Sequence, residues 1–103
     1  MIAISRFSVA DGEAEEFAGG ARAVLEALAE RPGFVRGHVG RNADDPALWA
    51  LVTEWDGAGF YRRALSDFTV RMVAMPLLSR AIDEPGAYEI LATRPAPAPA
   101  GGA

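Results

Sequence analysis

Two alternations of apolar and polar positions stand out along the chain, one with the period of a strand and one with the period of a helix. From Ile2 to Val9, Ile2 and Ile4 point one way while Ala3, Phe7 and Val9 point the other, which predicts a strand with both faces largely apolar. Leu48 to Trp55 is the clearest strand, with Trp49, Leu51, Thr53 and Trp55 on one face and Leu48, Ala50 and Val52 on the other. Phe34 to Arg41 alternates in the same manner despite Gly37 and Gly40. Between the first two strands, Ala14, Phe17, Ala18, Ala21, Val24, Leu25 and Leu28 keep helical spacing, with Asp11 as the expected N-cap and Glu13, Glu15 and Glu16 at the positive end of the helix dipole. That helix should run to about Ala29 and stop at Arg31-Pro32-Gly33. Gly19-Gly20 interrupts it at a cost of about 1 kcal/mol per glycine relative to alanine, so close approach of another backbone or a ligand is one reading and solvent-exposed tolerance the other.

Asn42-Ala43-Asp44-Asp45-Pro46 has hairpin-turn chemistry between the second and third strands. Gly57 to Leu65 reads as a helix carrying Phe60, Tyr61, Ala64 and Leu65, and Thr69 to Ala74 as a second short segment that Pro76 should break or restart. Asp83-Glu84-Pro85-Gly86 is a turn before a last strand, Ala87 to Ala92. The order is β-α-β-β-α-β, a ferredoxin-like α+β domain over residues 1–92 with an antiparallel sheet and helices on one face. Residues 93–103 form a Pro/Ala/Gly tail expected to be disordered. Two main helices cover only one face of a four-stranded sheet. The apolar second faces of the first and third strands therefore predict a homodimer, closed sheet face to sheet face about a two-fold axis into a dimeric α/β barrel.

Composition narrows the function. With 103 residues, half of them apolar, the chain fits one domain with a limited core. A net charge of −4, with the ten basic residues scattered, lacks the electrostatic footprint of a nucleic-acid binder. The absence of cysteine removes disulfides, thiolate nucleophiles, iron–sulfur clusters and cysteine-containing zinc sites, and one histidine is too few for a multi-histidine metal site in one chain. No basic segment followed by a long apolar run opens the sequence, and no run approaches membrane-spanning length, so a soluble cytoplasmic protein without membrane partners is expected. No Gly-rich phosphate loop, nucleophile elbow or metal-spaced acidic cluster is present, and no cofactor or metal is expected. An enzyme built this way would work by binding, desolvation and at most one proton transfer, with the reactive electrons supplied by its substrate.

Few residues suggest chemistry. His38 lies between Gly37 and Val39 without a partner to organise it as a base, and its default is structural or solvent-facing. Trp49 and Trp55 are by default core or dimer interface, with the wall of an aromatic pocket as the alternative. Phe60, Tyr61, Phe68, Met72 and Met75 are by default helical core, and otherwise line an apolar cavity between helix and sheet. Arg62-Arg63 and Asp44-Asp45 read as solvated charge pairs.

The stretches Ile4-Ser5-Arg6-Phe7-Ser8-Val9 with Gly12, Arg31-Pro32-Gly33-Phe34, and Leu51-Val52-Thr53-Glu54-Trp55 followed by Phe60 and Tyr61 resemble the antibiotic biosynthesis monooxygenase family over residues 2 to about 92. The resemblance implies a dimeric α/β barrel with a pocket between helices and sheet in each subunit. It also implies one of several activities: some members oxidise polyaromatic phenols to quinones with dioxygen and no cofactor, some degrade haem, and many have no known reaction. The haem-degrading branch carries an asparagine, a tryptophan and a histidine where this chain has Ser5, Ala64 and Ala74, so the resemblance does not extend to haem degradation. The quinone-forming branch uses tryptophan, tyrosine, asparagine and arginine, types present here as Trp55, Tyr61, Asn42 and Arg71.

Two functions stay open. In the first, a pocket lined by Trp55, Phe68, Met72 and Met75 binds a phenolic polyaromatic molecule, and Tyr61 or Arg71 favours its phenolate as that anion passes an electron to dioxygen. In the second, a non-catalytic accessory homodimer holds a small apolar molecule or has no pocket at all. A closed, side-chain-filled interior speaks for the accessory protein, and an open cavity with a convergent Tyr or Arg for the enzyme.

Overall fold

The computed structural model describes residues 1–99. Its elements in chain order are β1 (Ile2–Ser8), a 3-10 turn (Asp11–Glu13), α1 (Ala14–Ala29), β2 (Phe34–Arg41), β3 (Leu48–Trp55), α2 (Ala58–Ser66), α3 (Phe68–Leu78) and β4 (Ala87–Tyr88). The strands form one antiparallel sheet in the order β2-β3-β1-β4, the ferredoxin-like arrangement that the element order predicts. All seven residues of β1 pair with β3, from Ile2 opposite Glu54 to Ser8 opposite Leu48. Residues directly opposite share a face, so this register sets Ala3, Phe7, Leu51, Thr53 and both tryptophans toward the helices.

The core lies between that sheet face and the inner stripes of the helices. Phe17, Ala21, Val24 and Leu28 of α1, Ala64 of α2, and Val70, Ala74 and Leu77 of α3 are all buried there. Among the described residues no helix lies over the opposite sheet face. Ile2, Ile4, Leu48, Ala50 and Val52 lie on it, half-buried only by their neighbours, together with exposed Arg36 and His38.

Several local expectations change. Asp11 does not cap α1: the chain enters through the 3-10 turn, where the Glu13 N–H already donates to the Ala10 carbonyl at 2.9 Å, and no side chain caps the helix. Gly20 is the point of close approach within α1, since a Cβ there would stand 3.2 Å from Leu77 Cδ1, whereas Gly19 faces open space. Pro76 does not break the third helix. It sits in the last turn, where the bond it forgoes is to the carbonyl of Met72, an exposed residue whose oxygen solvent can satisfy. The third helix starts one residue earlier than the periodicity suggests because Asp67 caps it, its Oδ2 accepting from the Val70 N–H at 3.1 Å. The last strand is only Ala87–Tyr88, and residues 89–99 carry neither helix nor strand. Of the tail proposed for residues 93–103, residues 100–103 lie outside those described.

Candidate functional site

β3 carries one tryptophan near each end, and each organises an aromatic cluster. At the start of the strand Trp49 meets Phe17 edge to face at 5.3 Å, Phe17 meets Phe7 at 4.9 Å, and the Arg41 guanidinium lies over the Trp49 ring at 5.6 Å. At its end Trp55 meets Phe34 edge to face at 5.3 Å and Tyr61 at 5.6 Å. Six steps along the strand separate the two residues, roughly 20 Å. Both tryptophans face the helices, so neither lies on the bare sheet face.

The Trp55 end is built by three local features. Thr53 shares the inward face of β3, is only 2% exposed, and its Oγ1 accepts from the Trp55 indole N–H at 2.9 Å. That bond satisfies the indole, which is 1% exposed, and holds the ring where it meets Tyr61 at a tilt of 50°. Gly33, at φ +85°, turns the chain from α1 into β2 and lets Phe60 lie directly on its backbone, since a Cβ at that position would run into the Phe60 ring. The Asp56 N–H donates to the Gly33 carbonyl at 2.8 Å, so the turn also holds the entry to α2. Tyr61, one residue on from Phe60, is half-buried against Trp55, and burial pushes its phenol above the ordinary range because the charged form would lose its water. At neutral pH Tyr61 is therefore a protonated hydroxyl able to donate a hydrogen bond.

The remaining residues singled out in the sequence lie elsewhere. Phe68, Arg71, Met72 and Met75 do not face the sheet, because Val70, Ala74 and Leu77 take the inward stripe of α3. They line instead a concavity of about 270 Å³ on the outer side of that helix, which takes in neither Trp55 nor Tyr61. Asn42 belongs to the β2–β3 turn, at the Trp49 end of the sheet, where its Oδ1 accepts from the N–H groups of Asp44 and Asp45, both at 2.8 Å. His38 is exposed on the bare sheet face opposite Val52. Ala64 and Ala74 are buried and offer no ligand atom. Thr53 is a residue of this corner that no motif singles out, and its place two residues before Trp55 on one strand face is the signal that it shares the tryptophan's surroundings.

An open four-stranded antiparallel sheet in the order β2-β3-β1-β4, backed by helices on one face, defines an α+β protein of ferredoxin-like class. The family profile described as antibiotic biosynthesis monooxygenase matches residues 1–65, and the chain belongs to that family. Among solved structures, a point mutant of SnoaB, a cofactor-independent oxygenase from Streptomyces nogalater, is 26% identical, with a TM-score of 0.78 over 92% of this chain and 96% of that one. A second SnoaB crystal structure gives a TM-score of 0.70 at 26% identity over 87% and 94% of the two chains. A conserved protein from Methanosarcina mazei shares the fold at 17% identity, with a TM-score of 0.68 over 84% of each chain. No curated protein matches the sequence. Among the described residues no group of acidic, histidine or cysteine side chains is placed to hold a metal ion, and no helix is long and apolar enough to cross a membrane.

Proposed function

We propose that this protein is a cofactor-independent monooxygenase that converts a phenolic polyaromatic molecule to a quinone with dioxygen, using the Trp55–Tyr61 end of the core as its site. The observation that carries the reading is the half-buried, protonated Tyr61 hydroxyl held beside the Trp55 ring. A flat aromatic substrate stacks against that corner, and the Tyr61 hydroxyl donates to its phenolate oxygen, which favours the electron-rich anion. In a substrate of this class that carries a methylene between its aromatic rings, as an anthrone does, that carbon gives up two hydrogens and two electron pairs, one atom of dioxygen becomes the new carbonyl oxygen and the other leaves with the two hydrogens as water. Trp55, 1% exposed, backs Tyr61 from within the core and does not touch the substrate, and its N–H is already given to Thr53. The likeness to a cofactor-independent oxygenase at 26% identity supports this chemistry. The bare sheet face supports a homodimer as the working form, with Ile2, Ile4, Ala50 and Val52 meeting their counterparts across a two-fold axis.

A second reading has its own support. Trp55 is so completely enclosed that only the Tyr61 side of the pair is open, which suits an accessory dimer that holds a molecule without transforming it. One experiment separates the two. Anthrone is added to the purified protein while oxygen consumption and the quinone absorbance are followed, with Tyr61→Phe alongside. Stoichiometric oxygen uptake that falls at least tenfold in Tyr61→Phe, with stability kept within about 1 kcal/mol, fits the enzyme. Binding without turnover fits the accessory protein, and absence of both removes the site. Light scattering that gives a monomer mass at micromolar concentration would remove the dimer.

A further inference from the structure

α3 carries two apolar stripes, and only one is used by the fold. Val70, Ala74 and Leu77 face the core, while Phe68, Met72 and Met75, also spaced i, i+4 and i+7, face away and are 76%, 64% and 47% exposed. Three large apolar side chains left in water on one helix face mark an interaction surface more often than tolerance. The concavity they form with Arg71, about 270 Å³, falls below the usual size of a small-molecule pocket and suits one or two inserted side chains.

Charge points to the kind of partner. Between Gly57 and Ile82 the charged residues are Arg62, Arg63, Arg71 and Arg80 against Asp67 alone, a net of +3 within a chain of −4. Asp67 is engaged by the Val70 N–H and by Arg31, and Arg80 pairs with Glu13, so Arg62, Arg63 and Arg71 take part in none of the ion pairs among the described residues. The α2–α3 segment is thus a basic stretch with an apolar centre on an otherwise acidic protein. We propose that the outer face of α3 docks an acidic amphipathic helix of a partner protein, with an apolar side chain seated between Phe68, Met72 and Met75 and a carboxylate on Arg71. The helix-in-groove mode supplies the apolar anchor, and the planar guanidinium forks a carboxylate better than an ammonium does. A second copy using the same face is disfavoured because a two-fold contact would set Arg71 near its own counterpart. A lipid surface is disfavoured because the patch is a short concavity rather than a long apolar face. The surface lies on the helical layer, away from both the bare sheet face and Tyr61, and stands independently of the proposed reaction.

The test uses the full chain and a fluorescein-labelled helical peptide of about 18 residues with leucine on one stripe and glutamate elsewhere. A matched peptide with lysine in place of glutamate serves as its counterpart. Anisotropy should saturate with the glutamate peptide and not with the lysine peptide. Met72→Ser and Arg71→Glu, both at exposed positions, should each weaken binding roughly tenfold with unchanged circular dichroism, while Arg22→Glu on α1 should not. Four outcomes overturn the proposal: no binding of the glutamate peptide, equal binding of both peptides, binding insensitive to Met72→Ser and Arg71→Glu, or a circular dichroism spectrum showing both variants unfolded. Two further results would reassign the surface. Sedimentation with phosphatidylglycerol vesicles that is lost in Met72→Ser would assign the face to a lipid surface, and a mass in light scattering that halves in Met72→Ser would assign it to a second copy.

Discussion

Replacing Thr53 by valine isolates the one buried hydrogen bond that holds the aromatic corner. Valine matches threonine in shape and in preference for a strand, so neither a cavity nor a backbone penalty is introduced. What changes is that the Trp55 N–H, on a ring 1% exposed, loses its acceptor at 2.9 Å and has no access to water. Stranding a buried donor costs about 1–3 kcal/mol. For a domain of this length each kcal/mol moves the thermal midpoint by roughly 4–8 °C, so the midpoint should fall by about 4–24 °C. Melts followed by circular dichroism read this directly. The decisive comparison is a double-mutant cycle with Trp55→Phe, which removes the donor: in that background Thr53→Val should cost almost nothing, because no N–H remains to be stranded. A full penalty in the Trp55→Phe background, or none in the parent, would refute the assignment of this bond as what fixes the ring.

Gly33→Ala should destabilise by about 2–5 kcal/mol in chemical denaturation, the sum of a left-handed alanine and the displacement of Phe60, and an unchanged midpoint would mean that the turn can relax at no cost. Arg6 donates to both carboxylate oxygens of Glu84, at 2.7 and 2.6 Å, and holds that carboxyl below its ordinary range. A depressed folded value means stability present above the unfolded value, about 4.3, and lost as pH falls through the folded one, so Glu84→Gln should lower stability at neutral pH and converge with the parent at the acid end, flattening the acid limb of the stability profile. Titration with haemin should give no sharp Soret band saturating at one haem per subunit, because Ala64 and Ala74 are buried without a ligand atom and His38 lies on the far face of the sheet.

The strands were legible because their period is two and both faces show it: the inward set of Trp49, Leu51, Thr53 and Trp55 follows from alternation alone, as does the set of Ala3 and Phe7 in β1 with Val9 just beyond it. The β2–β3 turn was legible in the same way, since Asn42 and Asp45 each bind backbone N–H groups within it. The short last strand was not. Its two paired residues depend on the Ile4 N–H donating to the Gly86 carbonyl at 2.7 Å and on Arg6 gripping Glu84, contacts between distant parts of the chain that no local pattern encodes. The site was half legible. Trp55 and Tyr61 fall together because strand end and helix start are adjacent in the chain, whereas the placement of Phe68, Arg71, Met72 and Met75 turned on which side of α3 faces the sheet.

That ambiguity has a physical origin. Periodicity reports that a helix has an apolar stripe but does not say which of two stripes the fold will use, and α3 is apolar on both. Packing settled the choice through size. Ala74 and the neighbouring Val70 and Leu77 let α3 settle onto α1, where Gly20 meets Leu77, while Phe68 and Met72 on the same side would have held the two helices apart. The larger side chains were therefore left outside, just as the second faces of β1 and β3 were left bare once two layers had closed. A domain of this size buries one face of each element, and an apolar pattern in excess of that is surface available for other molecules. The bare sheet face and the outer stripe of α3 are two such surpluses on opposite sides of the chain, so occupation of one leaves the other free.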